Sequence, residues 1–337
     1  MTITHGGNIF AIARERGWDW REVLDLSASI NPLGPAPGVK PAIEAAMDRI
    51  AHYPCQGPGQ LEEALAAQWR ISPEQILSGG GATELVHFAA RSGWTGPAAL
   101  ATPVWSEFYR VFPHALRVSL AEVESWPQRG LLVMSQPVNP TGEAIPVELV
   151  RRAIAGREGP VLIDESFIEF TRLESAVGWT EDHPNLLVLR SLSKFHALPG
   201  LRIGALVGSK DWMGRLARHR KAWQVSTLAE AAAVAAISDK EHAEKTRGFV
   251  EAERSWLAEQ LSELKGLSLT AGTANFLFAG TERPAQEICD WFLDRKIILR
   301  NCAGLPGVAG QAIRFAVRTR QENERFVEAA RECFCAG

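Results

Sequence analysis

Short apolar runs alternate with amphipathic stretches through the middle of the chain, and this alternation sets the expected fold. AALA at 98–101, LLVMS at 131–135, VLIDE at 161–165, LLVLR at 186–190 and IGALVG at 203–208 are apolar on both faces, as strands buried in a parallel sheet must be. Helical patterns between them, such as PVELVRRAIAG from Pro146, predict the crossover helices of an α/β layered unit. From about 228 the pattern changes. The alanine-rich LAEAAAVAAISD leads to a long helix over EHAEKTRGFVEAERSWLAEQLSEL, then to strand candidates NFLFAG, IILRN and AIRFAVR, and to a closing helix after Gln321. This predicts a smaller α+β unit. NPLGPAPGVKP at 31–41 breaks the periodicity. The expected organisation is an N-terminal arm over 1–39, a large unit over 40–227 and a small unit over 228–337.

Charge narrows the ligand class. With 36 Lys+Arg against 39 Asp+Glu, the chain lacks the basic excess that draws nucleic acid or anionic membrane, so a small molecule is the expected ligand. The five cysteines, Cys55, Cys289, Cys302, Cys333 and Cys335, form neither an even framework nor paired CxxC motifs. This predicts reduced thiols in the cytoplasm and no metal site. MTITHGGNIF lacks the basic and apolar regions of a signal peptide, and no apolar run reaches a membrane-spanning length.

Ligands of α/β sheets bind beyond the carboxyl ends of the strands, so the residues just after each apolar run are the candidates for chemistry. In ILSGGGATELVHFAA, Gly81, Ala82 and Thr83 open a helix and suit a phosphate; the same glycines also read as a plain tight turn. LLVMSQPVNPTG runs into Asn139 and Pro140, which alone equally describes a proline turn. VLIDESFIEF ends on adjacent carboxylates, Asp164 and Glu165, an expensive place for charge unless a cation or a protonated ring nitrogen meets it. In RSLSKFHALPGLRIG, Lys194 comes after Ser191 and Ser193 and precedes Arg202. A lysine there is either a solvated turn residue or an amine of lowered pKa able to attack a carbonyl carbon, with serines and an arginine suited to a phosphate dianion nearby.

GGGATE, the NPTG of QPVNPTG, DESFIEF and SLSKFHALPGLRIG, in that order, resemble the pyridoxal 5'-phosphate (PLP) enzymes of fold type I, the aspartate aminotransferase superfamily. The resemblance spans nearly the whole chain and is strongest to the histidinol-phosphate aminotransferase-like branch. Within it, HGGN at 5–8 and LDLSASINPLGP at 24–35 resemble the L-threonine-O-3-phosphate decarboxylases of cobalamin biosynthesis.

The resemblance implies a large α/β/α domain with a mostly parallel seven-stranded sheet and a smaller α+β domain. It implies PLP joined to Lys194, with Lys194 also moving the proton, Asp164 on the pyridine nitrogen, and Asn139 on the ring hydroxyl. Gly81, Ala82, Thr83, Ser191, Ser193 and Arg202 would hold the cofactor phosphate, and Trp105 would stack on the ring. Tyr53 would reach the cofactor phosphate of the neighbouring subunit, so a homodimer with shared active sites is implied. For the substrate, a small phosphorylated amino acid, it implies Arg300 and Arg314, with His5, Asn8 and Asn31 from an arm that packs with the small domain and folds over the site. Where the branch's aminotransferases carry tyrosine three residues after the aspartate, this chain has Phe167. The implied activity is decarboxylation of L-threonine O-3-phosphate. The alternatives are transamination, decarboxylation of L-serine O-phosphate, or a PLP-binding protein without turnover.

Overall fold

The computed structural model describes residues 6–55, 57, 59–91, 94, 96–220 and 222–335. Seven strands form one sheet in the order Ile76–Gly79, Gly204–Val207, Leu186–Ser191, Val161–Asp164, Leu131–Ser135, Ala98–Ala101, Leu116–Val118. All run parallel except Gly204–Val207, which is antiparallel to both neighbours. The α/β class and the mostly parallel sheet are those expected. Successive residues of each strand serve opposite faces, as the period of two requires. Leu132, Met134, Val161 and Ile163 pack into one layer, whereas Val133 and Leu162 pack against Leu85, Phe88 and Phe108 in the other.

The helix Thr227–Ser238 corrects the expected organisation. Placed by its pattern at the start of the small unit, it buries Ala229, Ala232, Ala233, Ala236 and Ile237 in the large unit's core with Val39 and Leu61. Alanines on most sides let it lie close against a neighbour without declaring which one. The change to the smaller unit comes with the long helix Lys240–Leu261.

The smaller unit is built on an antiparallel sheet ordered Arg300–Asn301, Gln311–Ala316, Phe276–Thr281, Leu267–Thr270. The expected strand IILRN divides in two. Ile297–Ile298 pairs in parallel with Leu24–Asp25 of the arm, while Arg300–Asn301 pairs with Gln311–Ala316. Leu24 and Leu26 enter the core of this unit, and the Leu26 carbonyl accepts from the Ala316 amide at 2.8 Å. Two-residue strands are too short to leave a periodic trace in a sequence. Among the described residues no helix is long and apolar enough to cross a membrane.

A buried ionic network fixes the ends of two central strands. Arg190, 4% exposed, reaches Glu165 at 3.3 Å and Glu169 at 3.2 Å. Glu165 also accepts from Ser175 Oγ and from the Ala176 amide, both at 2.6 Å. Burial alone would raise the Glu169 carboxyl, but Arg190 and His196 pull it down to about 2. Arg190→Met leaves Glu165 without its cation and Glu169 with one fewer, an imbalance worth about 3–5 kcal/mol. A lowered denaturant midpoint at neutral pH is the expected result. Glu169 is depressed in the folded state, so its contribution is complete above the ordinary carboxyl value of 4.5 and lost as pH falls towards about 2. The gap between wild type and variant therefore narrows in acid. A midpoint unmoved at neutral pH would show the network to be dispensable.

Candidate active site

The sheet register gathers the chemistry at one edge. Ser135 lies opposite Asp164, and Asp164 opposite Leu189, so the segments beyond these parallel strands leave from one side. They carry Asn139, Asp164 and Lys194. The antiparallel strand adds a residue that parallel strands could not. Its first position, Gly204, lies opposite Ser191 on one side and Gly79 on the other, so Arg202, which precedes it, arrives at the same edge as Lys194 and Gly81.

Lys194 is half-buried, with Nζ 3.4 Å from Ser191 Oγ and 4.8 Å from the centre of the Phe167 ring. Burial pushes its amine down from 10.5 to about 8; Asp164 opposes this, and Arg314 and Arg202 add to it. Asp164 is 3% exposed and accepts from the Ser166 amide at 2.9 Å. Burial raises its carboxyl, and the Lys194 charge works against that rise.

An anion cradle lies beside this pair. The helix Ala82–Ala90 begins at Gly81, φ +90°, with no side-chain cap, so the amides of Ala82 and Thr83 have no acceptor within the helix. A Cβ on Gly81 would lie 2.6 Å from Arg202 Nη2, which puts the guanidinium directly over the turn. Arg202 is itself in the left-handed region, φ 53°, and Ser193 Oγ donates to the Ile203 carbonyl at 3.4 Å. Trp105 lies beyond the strand Ala98–Ala101 at the start of the helix Ser106–Val111, partly buried and edge-on to Phe108 at 5.9 Å. The Asn139–Pro140 peptide is cis. Tyr53 is 78% exposed and stacked on Trp223 at 4.2 Å.

Arg300 and Arg314 lie directly opposite one another on neighbouring strands, an arrangement that like charges disfavour unless an anion lies between them. Arg314 donates from Nη1 to Asn139 Oδ1 at 2.9 Å and from Nη2 to the Ser27 carbonyl at 3.1 Å. Its Nε is buried with no partner, as is Ser29 Oγ. Burial lowers Arg314 to about 10 and lowers Arg300 in the same direction.

The arm meets Arg314 through Ser27. The Gly7 amide donates to Ser27 Oγ at 3.0 Å, bringing the HGGN stretch beside Ser27 and thus Arg314. Asn8 is exposed at the start of the helix Ile9–Arg16, and His5 lies outside the described residues. Asn31 is a correction. Expected to face the substrate, it is 3% exposed and turned inward, its Nδ2 donating to the Phe195 carbonyl at 2.9 Å and to Thr246 Oγ1 at 3.0 Å, and its Oδ1 accepting from the Leu33 amide at 3.0 Å. An asparagine before Pro-Leu-Gly closes a turn on itself, and burial requires its remaining donors to find carbonyls.

Sequence reasoning missed Ser27 and Phe276. Phe276 lies edge-on to Phe167 at 5.0 Å, while the Arg314 guanidinium lies 4.8 Å from its ring centre, so contacts run from the lysine through two rings to the arginine. Only the apolar strand pattern marked Phe276, and it marks many core residues equally. In ligand-free protein the Lys194 amine should react with a limiting amine reagent as a group of pKa about 8, gaining reactivity as pH rises through that value. Mapping of the modified peptide against pH checks this; reactivity rising only near 10.5, like a surface lysine, would overturn the electrostatic reading.

The aminotransferase class I and II family profile matches residues 21–329. The threonine-phosphate decarboxylase of Salmonella typhimurium is 34% identical, the match covering 97% of this chain and 95% of the relative. A histidinol-phosphate aminotransferase of Symbiobacterium thermophilum is 30% identical over 97% of this chain and 94% of its own. The solved histidinol-phosphate aminotransferase of Sinorhizobium meliloti, in complex with pyridoxal-5'-phosphate, matches with a TM-score of 0.85 at 22% identity, covering 99% of this chain and 96% of that one. The cofactor is pyridoxal 5'-phosphate, and the uncapped helix start under Arg202, with a lysine and a buried carboxylate beside it, fits a phosphorylated aldehyde that carries a ring nitrogen. The chain belongs to the aminotransferase class I and II family, the PLP-dependent enzymes of fold type I.

Proposed function

We propose that this enzyme decarboxylates L-threonine O-3-phosphate to (R)-1-amino-2-propanol phosphate for cobalamin biosynthesis. The observation that carries the reading is the opposed pair Arg300 and Arg314, with the arm held against Arg314 through Ser27: two guanidiniums suit a substrate with two anionic groups. The 34% identity to the Salmonella decarboxylase along nearly the full chain supports it.

In this reading the amides of Ala82 and Thr83, with Gly81, Ser191, Ser193 and Arg202, hold the cofactor phosphate. Asp164 meets the ring nitrogen, Asn139 the ring hydroxyl, and Trp105 the ring face. Bound there, PLP supplies an electron sink for the pair released when a bond at the substrate α-carbon breaks. This chain's own residues decide which bond that is. Arg300, Arg314 and the arm, including His5 and Asn8, grip carboxylate and phosphate and so set the substrate's orientation. Lys194 delivers the proton that replaces the departing CO2 at the α-carbon. An amine with a pKa near 8 both holds and releases a proton close to neutrality. The enzyme works in the cytoplasm as a homodimer, and the outward-facing Tyr53 reaches the partner's cofactor phosphate.

A second reading, transamination of a substrate such as histidinol phosphate, draws on the 30% relative and employs the same lysine and arginines. L-serine O-phosphate is a weaker substrate in the first reading: it lacks one methyl group, a difference worth about 1–3 kcal/mol in a fitted pocket. The test is PLP-loaded protein incubated with L-threonine O-3-phosphate and no 2-oxo acid. Continued release of CO2 together with aminopropanol phosphate is expected. No CO2, with turnover appearing once histidinol phosphate and 2-oxoglutarate are supplied, would replace this reading with the second.

A further inference from the structure

We infer that Asn31 is a positioning residue that ties the N-terminal arm to the backbone of Lys194, so that Lys194 takes its working place only when the segment 27–31 is seated. The inference rests on Lys194 being the lysine joined to the cofactor.

Three bonds carry it. The Asn31 amide donates to the Lys194 carbonyl at 3.0 Å. Its side-chain Nδ2 donates to the Phe195 carbonyl at 2.9 Å and to Thr246 Oγ1 at 3.0 Å. Thr246 is fully buried on the helix Lys240–Leu261. One side chain therefore joins the arm, the turn that carries the lysine and the longest helix of the smaller unit. The turn beyond it is fastened to that helix again, where His242 Nε2 lies 3.2 Å from the Gly34 carbonyl.

The other end of the segment holds the anion-binding side of the site. The Ser27 carbonyl accepts from Arg314 and Ser27 Oγ accepts from the Gly7 amide. Residues 27–31 belong to no helix or strand, so no ladder of backbone bonds fixes their path; beyond the end contacts, the Ser27 amide and Oγ donate to Asp25 Oδ1 and the Ile30 amide to the Ala28 carbonyl. A few residues of irregular chain thus run from the guanidinium of Arg314 to the carbonyl of Lys194. Seating the arm over a bound anion and setting the lysine become one event, because the same short segment is anchored at both places.

Replacing the Asn31 amide by a carboxylate separates its two duties. Asn31→Asp keeps the shape and the oxygen that accepts from Leu33, so the local turn survives. It removes the donor and sets an oxygen against the Phe195 carbonyl. The groups charged around Lys194 are Asp164, Arg314 and Arg202, and a displaced lysine changes its distance to each of them.

The experiment compares wild type, Asn31→Asp, Asn31→Ala and Thr246→Val as PLP-loaded proteins. Visible absorbance of the lysine-linked cofactor is titrated against pH, and kcat and KM are measured for whichever reaction wild type catalyses. Both Asn31 variants should shift the titration midpoint and lose on the order of tenfold in kcat, KM changing less, since small misplacements of a reacting group cost factors of this size. Thr246→Val, which removes one partner, should give a smaller shift in the same direction. It also serves if the Asn31 variants do not fold. An unchanged midpoint and kcat in Asn31→Asp or, failing that protein, in Thr246→Val, with only thermal stability lowered, would reduce Asn31 to a fastener of the arm and overturn the inference. A Lys194→Ala control keeps the two readings apart: if it retained the lysine-linked absorbance, the role of Lys194 would be the part that fails.

Discussion

A lysine amine held half out of water, beside a buried carboxylate, is the feature that the rest of this structure has to make tolerable. Neither charge would survive alone in that position. Asp164 ends one central strand and Lys194 lies just beyond the end of the next, so only a parallel pairing in the observed register sets them side by side. Burial lowers the amine, the carboxylate restores part of its basicity, and Arg314 and Arg202 lower it again. The result near 8 is a balance of opposed effects. It depends on the sheet for Asp164, on the one antiparallel strand for Arg202, and on the smaller unit for Arg314.

That dependence explains why the arm matters. Arg314 lies on a strand of the smaller unit, and it is tied to the larger unit through Asn139 and to the arm through Ser27. Two arginines face each other on adjacent strands, a pairing of guanidiniums that suits an anionic substrate. In the proposed reading, substrate charge and the arm act on the same residue. The arm is exposed at the helix start at Asn8 and buried at Asn31, where it is bonded to the lysine turn.

Much of this was legible in the sequence because buried parallel strands must be apolar on both faces, and because polar residues at their ends stand out against such runs. The residues brought to one edge, from Gly81 to Arg202, were marked in that way. Three things were not legible. Strand direction leaves no imprint on composition, so the antiparallel course of Gly204–Val207, which delivers Arg202, could not be read. An alanine-rich helix has no single apolar stripe, so Thr227–Ser238 could be assigned to either unit. Asn31 carried a side chain able to bind phosphate, yet whether an amide turns outward to a ligand or inward to carbonyls depends on which backbone groups the fold leaves unpaired beside it.

The neighbouring carboxylates of the DES stretch show how the chain resolves a choice that composition alone leaves ambiguous. Asp164 and Glu165 are consecutive at the end of one strand, so their side chains leave on opposite sides. Asp164 turns to the lysine. Glu165 turns to Arg190, Ser175 and the Ala176 amide, where the hydrogen bonds of both its oxygens are satisfied by protein. One carboxylate is saturated by the fold and therefore structural. The other accepts one backbone amide in the structure, and the lysine's opposite charge works against the rise that burial gives its carboxyl, which leaves it capacity to meet a cationic ring nitrogen. The difference between them arises from backbone alternation: one peptide unit separates a carboxylate satisfied by the fold from one left to face the lysine.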